Sequence, residues 1–470
     1  MPLILSGNVA TELAGATFSV DNSCRFDDGD TAWMEKDSSS VAEKKIGTIS
    51  FWMKRGNLTT AQTNIITHND TGYCLVALLS GHQIRFYSGE HDLSSTQVLR
   101  DCSAWYHIFA NWDTTQAVAA NRAKLYVNGV QVTLFATETY PDQNDELPFF
   151  VDSEAIVVGR NSTGANYFDG YLAEMVVLEG TAAAVTDFGE FNSDSPTIWQ
   201  PIKHAQSGNK GANGFYLDFK DSANLGNDAY GGTDLAETDL AATDQMTDTP
   251  TLNYCVWNPL TRFYAASTFS QGNLRIVNPA NTNYFMNTAT FGLSKGLWYW
   301  EVKNISTGGN LDGIGITDRE SRHAQNDFPG GTARSWCLYS NGDLYNNNVN
   351  SADFADEWTT NDIMGIYLDL TANKLYFAKN GTVQNSGTGI DITAASGTEY
   401  GVYFPMTGDY SGNAWTGDFN FGGGCNFAIS SAVADDDGSG AFEYDPTAGT
   451  FDSASKKFYA INSKNLAEYG

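Results

Sequence analysis

Short stretches in which apolar and polar residues alternate recur along the whole chain, and helical periodicity is almost absent. A period of two places alternate side chains on opposite faces of a strand. The stretches are rich in β-branched and aromatic residues and are bounded by Gly, Asn, Asp and Ser, which is typical of antiparallel sandwiches. The pattern predicts an all-β chain of two antiparallel β-sandwiches, with strand content above average and helix content under about 10%. The clearest stretches are Thr48–Lys54, Gln83–Ser88, Ala123–Val127, Ala155–Gly159, Leu297–Val302, Gly313–Ile316, Ile363–Leu370 and Lys374–Ala378.

Three Asn-Gly pairs mark predicted hairpin turns, because both central residues of a type I′ turn need a positive φ. They are Asn128-Gly129, Asn341-Gly342 and Asn380-Gly381. Large aromatic side chains on strands carry most of the apolar area of a sandwich core. We therefore expect five of them to be buried: Trp52, Trp105, Tyr126, Trp300 and Phe377.

The charge of the chain excludes several classes of partner. The formal net charge is −29 with a pI near 4.3, so we expect no nucleic-acid binding, which depends on Lys and Arg neutralising phosphates. No apolar run approaches the ~18 residues of a membrane helix, and the first residues lack the basic region of a secretory signal. The six cysteines are far apart without a C-x-x-C pair, which predicts reduced, mostly buried thiols.

A change in composition between Asp218 and Thr249 suggests a boundary. This stretch holds eight acids and one base, Lys220, among Ala, Gly, Thr and Asn. We predict a first domain over residues 1–205, an acidic connection over 206–251 and a second domain over 252–470. An acidic Ca²⁺ site is the alternative for this stretch, although the D-x-[DN]-x-[DN]-G string is not present.

The first half contains an ordered set of strand and turn motifs over about 150 residues, which is a typical domain length. The motifs are Ser23–Asp28, Ser50–Lys54, Trp105–Ile108, Lys124–Gly129, Val157–Arg160 and Phe168–Glu174. In their order and spacing they resemble the laminin-G or pentraxin-type concanavalin A-like sandwich. The resemblance implies a lectin-like sandwich.

The second half contains a further ordered set of strand and turn motifs. They are Gly296–Val302, Gly313–Ile316, Ser335–Leu338, Gly365–Asp369, Leu375–Phe377, Asn380-Gly381, Tyr403–Pro405 and Asp418–Gly422. These motifs resemble those of a SPRY domain, another sandwich of related architecture. The order of the two domains, the acidic joint and the C-terminal Asn-Leu-Ala-Glu-Tyr-Gly are similar to structural proteins of marine tailed bacteriophages. That similarity implies a virion surface protein made in the host bacterial cytoplasm, with other virion proteins as partners.

Concanavalin A-like folds also carry glycosidases, so catalysis is the alternative to binding. A retaining glycosidase needs two carboxyl groups about 5 Å apart, and such families place them as E-x-D-x-x-E, which this chain lacks. Glu174 and Glu179 are five residues apart and are expected on opposite faces of a strand. The common nucleophile, phosphate-binding and zinc motifs are also missing. We expect no enzyme.

The resemblance to pentraxins implies a Ca²⁺ site in the first sandwich, since hard cations take oxygen ligands. Asn69 and Asp70 follow an early strand, and Asn161 and Asn166 lie in the loop before the closing strand. The alternative for all four is ordinary turn chemistry, which Asn and Asp favour. We expect no other cofactor.

Aromatic residues near turns of the second half are candidates for carbohydrate or partner binding, because flat rings stack on sugar faces. They are Trp336, Trp358, Tyr410 and Trp415. Tyr410 and Trp415 lie in a polar stretch and are expected to be the most exposed.

Three functions are compatible with the sequence. The first is a non-enzymatic virion protein of the fibre or adhesion type that binds a host surface glycan or protein through sandwich loops. The second is a capsid decoration or head-fibre protein, and the third is a glycan-cleaving enzyme. Proteins attached to a virion occur in several copies around its symmetry axes, so we expect a homo-oligomer.

Overall fold

The protein is described by a computed structural model over residues 4–5, 18–39, 43–58, 61–68, 74–89, 91–205, 210–261, 267–280, 284–307, 309, 311–318, 328–409 and 414–470. The described residues are 42% strand and 5% helix, which confirms the all-β prediction. Its contacts divide it into two units, residues 13–251 and residues 1–12 with 252–470. We refer to these as the first and second sandwich. The described part contains no helix with the length and apolarity that a membrane crossing requires.

The first sandwich has two eight-stranded sheets. After β1 (Ile4–Leu5), which belongs to the second sandwich, the strands are β2 (Ser23–Phe26), β3 (Trp33–Asp37), β4 (Ile46–Arg55), β5 (Thr63–His68), β6 (Cys74–Leu78), β7 (Gln83–Ser88), β8 (His91–Val98), β9 (Trp105–Asp113), β10 (Ala123–Val127), β11 (Val130–Gln131), β12 (Phe135–Thr139), β13 (Ala155–Val158), β14 (Gly170–Glu179), β15 (Gly189–Phe191), β16 (Trp199–Pro201), β17 (Phe215–Leu217), β18 (Ala236–Thr238) and β19 (Gln245–Met246). The strand order of one sheet is β11-β10-β9-β4-β14-β2-β19, with β17 beside β14, and that of the other is β12-β8-β7-β6-β5-β13-β3-β18. Strands β15 and β16 form a separate pair.

The core of the first sandwich lies between these two sheets. The central strand β14 is buried along its whole length, because it is covered on both faces. Leu172 and Val177 belong to the main core, whereas Val176 and Leu178 pack with Phe188 in a smaller cluster. Short 3₁₀ helices occur at Ala119–Asn121, Val185–Asp187 and Ala242–Asp244.

The acidic stretch contributes strands to the first sandwich, which differs from the predicted connection. Within residues 210–251, β17 pairs with β14, β18 with β3 and β19 with β2. The Asp248 carboxylate is 2.6 Å from the Lys54 Nζ, and the Asp244 carboxylate is 2.8 Å from the Arg25 guanidinium. Burying a cation is costly unless it is paired, so these acids stabilise basic residues of the sheet. Along the sequence, the division between the two units falls between Thr251 and Leu252.

The second sandwich has a nine-stranded and a six-stranded sheet. Their orders are β20-β21-β34-β24-β29-β30-β31, with β32 and β35 at the side, and β22-β33-β25-β26-β27-β28. Two pairs are parallel, β1 with β23 and β24 with β35. The strands are β20 (Thr268–Ser270), β21 (Arg275–Asn278), β22 (Phe285–Thr288), β23 (Phe291–Gly292), β24 (Leu297–Ser306), β25 (Asp312–Thr317), β26 (Ser335–Tyr339), β27 (Leu344–Asn346), β28 (Val349–Ser351), β29 (Ile363–Asp369), β30 (Lys374–Lys379), β31 (Thr382–Val383), β32 (Ile390–Asp391), β33 (Phe404–Asp409), β34 (Trp415–Asn420) and β35 (Tyr459–Ala460). Short 3₁₀ helices occur at Asn385–Gly387 and Ala395–Gly397, and helix α1 spans Ser463–Tyr469.

Two of the three Asn-Gly pairs form the predicted turn. Asn128-Gly129 joins β10 to β11 and Asn380-Gly381 joins β30 to β31, with positive φ at all four residues. Asn341-Gly342 also lies in a hairpin, between β26 and β27, but the loop has four residues and Asn341 has no positive φ, so the turn is not of type I′. There the Asn341 Oδ1 accepts a hydrogen bond from the Asp343 N–H in a side-chain turn.

The expected buried aromatics are mostly confirmed. Trp52, Trp105, Trp300 and Phe377 are at most 9% exposed. Tyr126 is only half-buried, because its side chain packs edge-on against Phe109 outside the main core. All six cysteines are buried, and none of them is joined in a disulfide.

Candidate functional site

The outer face of β7 presents a row of polar and aromatic side chains. Ile84 and Phe86 point into the core and are fully buried, while Gln83, Arg85 and Tyr87 alternate with them and are half-buried. Strand alternation thus places Arg85 and Tyr87 two residues apart on the same face.

A cleft of about 260 Å³ lies on this face of the first sandwich. Strands β5, β6 and β7 supply its floor, and the loop after β13 supplies two asparagines from the side. Its lining residues are Gln62, Asn64, Leu75, Arg85, Tyr87, Asn161 and Asn166. We call this set the amide cleft, because four of its seven members carry a carboxamide.

The Arg85 side chain is held rigidly in the amide cleft. Its Nε and Nη2 donate to the two oxygens of Asp92 at 3.1 and 2.6 Å. The guanidinium carbon also lies 4.1 Å from the centroid of the Tyr87 ring. The bidentate pair neutralises the charge of Arg85, and three of its five N–H donors remain for a ligand.

The amides at the floor are oriented by a chain of hydrogen bonds. The Gln62 Nε2 donates to the Asn64 Oδ1 at 2.9 Å, and the Asn64 Nδ2 donates to the Thr67 Oγ1 at 3.1 Å. The Thr67 hydroxyl donates in turn to the Arg160 carbonyl at 3.2 Å. Each side chain in this series of hydrogen bonds donates to the next one, so the planes of the two amides are fixed before any ligand binds.

The structure brings together Asn161 and Asn166, two residues of the expected Ca²⁺ site. The Asn161 Oδ1 accepts hydrogen bonds from the Thr163 and Ala165 N–H groups at 3.1 and 2.7 Å and from the Thr163 hydroxyl at 3.1 Å. The oxygen that would ligate Ca²⁺ is thus used by a side-chain turn. Asn166 has a φ of 55° and is exposed at the cleft. Asn69 and Asp70 lie outside the described residues.

The expectation that aromatic loops form a binding surface on the second sandwich is corrected for three tryptophans. Trp336, Trp358 and Trp415 are 4%, 1% and 0% exposed. The Trp415 Nε1 donates to the Asn304 Oδ1 at 3.0 Å, and its ring lies against the position of Gly417. Trp415 opens β34, where strand alternation turns it into the core with Phe419 rather than toward solvent. Tyr410 lies outside the described residues.

A second cleft, of about 660 Å³, lies in the second sandwich near helix α1. Tyr459 and Tyr469 line it, and their rings stack with centroids 4.0 Å apart. Two of its lysines are paired with acids, Lys456 with Asp369 at 2.7 Å and Lys457 with Asp436 at 2.7 Å. This cleft is therefore mainly apolar at its floor and offers fewer oriented polar groups than the amide cleft.

The strand carboxylates considered for catalysis serve structural roles. Burial raises the pKa of Glu174 to about 7, and the Tyr216 hydroxyl donates to that carboxyl. The Glu179 carboxylate accepts from the N–H groups of Glu43 and Asn213 at 2.9 and 2.8 Å. Neither is among the described residues that line the amide cleft, and none of those seven carries a carboxylate.

Four residues of the amide cleft were not among the predicted site residues: Gln62, Asn64, Arg85 and Tyr87. A signal for two of them was present, because the alternation of Gln83–Ser88 already places Arg85 and Tyr87 on one face. The contribution of Gln62 and Asn64 carries no such signal, since it depends on how β5 lies beside β6 and β13.

Comparison with known families assigns two domains. Residues 28–184 match the model of the concanavalin A-like lectin/glucanases superfamily (Laminin_G_3), and residues 297–423 match the SPRY domain. The two domains are present in the predicted order. Both are of binding or lectin-like type rather than enzyme families, which suggests a binding function.

Relatives of known sequence or structure were also found for part of the chain. A Ran-binding proteins 9/10 homolog of Drosophila melanogaster is 28% identical over 133 residues, which are 27% of this chain and 14% of that protein. The chain therefore spans only about a seventh of the length of this relative. The SPRY domain of human HERC1 is 18% identical, with a TM-score of 0.29, over 35% of this chain and 96% of that one. A further human SPRY domain is 18% identical, with a TM-score of 0.26, over 31% and 90%.

Proposed function

We propose that the chain is a non-enzymatic surface protein of a bacteriophage virion that binds an uncharged host surface glycan in the amide cleft. The observation that carries this proposal is the composition of the cleft. Four carboxamides, a charge-neutralised arginine and the half-buried ring of Tyr87 are gathered on one sheet face.

The donors and acceptors of the cleft suit hydroxyl groups. A carboxamide both donates and accepts, as each hydroxyl of a sugar does, so paired amide and hydroxyl groups satisfy each other. Tyr87 adds a flat apolar surface against which a sugar ring can stack. Since Asp92 offsets the charge of Arg85, the described lining of the cleft carries no net charge that would attract an anionic glycan. Its volume of about 260 Å³ lies just below the usual range of small-ligand sites and suits a short glycan segment.

Binding without cleavage follows from the chemistry of the same residues. Glycosidases need two carboxyl groups at the scissile bond, and none of the described residues that line the amide cleft carries one. The similarity to marine tailed-bacteriophage structural proteins supports the virion location, with the SPRY domain as the part that contacts other virion proteins. We expect a homo-oligomer in that setting.

The binding experiment uses an array of neutral and acidic bacterial surface polysaccharides, followed by calorimetry on the best neutral ligand. Tyr87→Ala is expected to weaken binding roughly ten-fold, which corresponds to the loss of one stacked ring. Tyr400→Ala is the matched control, because Tyr400 is an exposed tyrosine of the second sandwich. Equal affinity of wild type and Tyr87→Ala would place the ligand elsewhere.

Two further measurements test the remaining parts of the proposal. Incubation of the bound polysaccharide with the protein should release no new reducing ends, and their release would show an enzyme. Antibodies against the purified chain should label intact particles of the phage that encodes it. Particles that remain unlabelled, with the chain found only in infected-cell lysate, would contradict the virion location.

A further inference from the structure

Three aspartates from distant parts of the sequence converge at one edge of the first sandwich. Asp27 and Asp28 follow β2, and Asp169 precedes β14. Because Gly170 pairs with Phe26 in antiparallel register, the end of β2 and the start of β14 meet at the same place. One carboxylate oxygen from each aspartate lies within 4.8 Å of the other two.

The Asp169 side chain is buried and lacks one of its partners. It is 3% exposed, and its Oδ1 accepts from the Asn57 N–H at 2.8 Å. Its Oδ2 is also buried and has no hydrogen-bond partner among the described residues. Leaving a carboxylate oxygen buried without a partner is costly, so this atom itself indicates that a positive group belongs beside it.

No basic side chain of the described chain supplies that charge. Neither Asp28 nor Asp169 forms an ion pair with a lysine or arginine. Arg55 is the neighbouring cation, but its guanidinium donates to the carbonyls of Leu99 and Asn57 at 2.9 and 3.4 Å. Burial, followed by the charges of Asp27 and Asp28, raises the pKa of Asp169 well above its usual range.

We propose that Asp27, Asp28 and Asp169 bind a structural Ca²⁺ that ties the end of β2 to the start of β14. Calcium–oxygen distances of 2.3–2.6 Å put oxygens on opposite sides of one ion roughly 4.6–5.2 Å apart, and the three carboxylate oxygens fit within that span. The ligands are all oxygens, which suits a hard cation and not Zn²⁺. Asp28 is half-buried, so water can complete the coordination.

This site is distinct from the one expected on Asn69, Asp70, Asn161 and Asn166. It lies where the opening and closing strand motifs meet. The ion would join parts of the chain about 140 residues apart, so it should stabilise the fold as any ligand of the native state does.

The test is isothermal calorimetry with CaCl₂ and thermal melting in millimolar Ca²⁺ against chelator, near pH 7.5. Wild type should bind Ca²⁺ and melt at a higher temperature with it. Asp169→Asn should bind roughly ten-fold more weakly or worse and lose the shift, because the charge of the ligand set determines affinity. Asp152→Asn, at an exposed aspartate of the same sandwich, should behave as wild type.

Asp28→Asn is the second variant, in case Asp169→Asn does not fold. Its half-buried position makes folding less sensitive to the change, and it should also weaken Ca²⁺ binding. Wild type without a calorimetric signal or a Ca²⁺-dependent melt would overturn the proposal and leave three acids that share a proton. A Ca²⁺ effect that survives in Asp28→Asn and Asp169→Asn but disappears in Asp70→Ala would also overturn it, and would move the ion to the other loop.

Discussion

Asp312 of the second sandwich provides a sharp test of how burial affects stability. It begins β25 and pairs directly across the sheet with Asp409 in β33. Asp312 is 1% exposed, and neither of its carboxylate oxygens has a hydrogen-bond partner among the described residues. Burial, and then the charge of Asp409, raises the pKa of Asp312 to about 8.

The sign of the pH dependence follows from this pKa. The native state keeps the proton on Asp312 up to about pH 8, whereas the unfolded chain releases it near pH 4. Between these values the native state binds one more proton, so the free energy of unfolding falls by about 1.4 kcal/mol per pH unit as pH rises. Titration of Asp312 alone therefore lowers the free energy of unfolding at pH 7 by about 4 kcal/mol relative to pH 4.

Asp312→Asn should remove this loss, because an amide does not ionise. The measurement is urea unfolding followed by tryptophan fluorescence at several pH values from 5 to 8. For each unit by which the pH rises, the free energy of unfolding of Asp312→Asn should gain about 1.4 kcal/mol relative to that of wild type. Taking differences cancels the other titrating groups that both proteins share.

Two controls complete the test. Asp356→Asn changes an exposed aspartate and should follow wild type at every pH. Asp409→Asn removes the neighbouring charge, so the pH range over which stability falls should end below pH 8. Equal pH slopes for wild type and Asp312→Asn would refute the reasoning, because Asp312 would then titrate as it does in the unfolded chain.

Three further substitutions test the packing. Asp248→Asn breaks the buried pair with Lys54 and should lower the unfolding free energy of the first sandwich by about 3–5 kcal/mol in urea; a loss below about 1 kcal/mol would contradict a role in the fold. Glu301→Gln should cost about 1–3 kcal/mol in the same assay, because two backbone N–H groups and a tyrosine hydroxyl donate to this buried carboxyl and an amide N–H₂ would face donors. Gly417→Ala should lower the free energy of unfolding by about 1–3 kcal/mol, and with it the melting temperature, because the new Cβ would lie 2.6 Å from the Trp415 ring. An unchanged melting temperature would mean that the ring moves aside.

Local sequence determined the elements of this protein. Strand alternation and turn residues act over a few positions, so they predicted the β7 and β24 strands and the turns at Asn128-Gly129 and Asn380-Gly381. The order of the strand motifs also indicated both domains, which the family comparisons confirm. These features depend on backbone propensity and on the period of the pattern, which one sequence displays directly.

The tertiary structure alone decided which residues meet. Trp415 stands in a polar stretch, yet strand pairing turns it into the core over Gly417. The composition of the acidic stretch predicts a solvated connection, yet its Asp248 forms a buried ion pair with Lys54, 194 residues earlier in the sequence. The amide cleft likewise joins β5 and β7 to a loop about 80 residues later. Such contacts depend on long-range strand pairing and on the need to neutralise buried charge, and neither is encoded in the spacing of neighbouring residues.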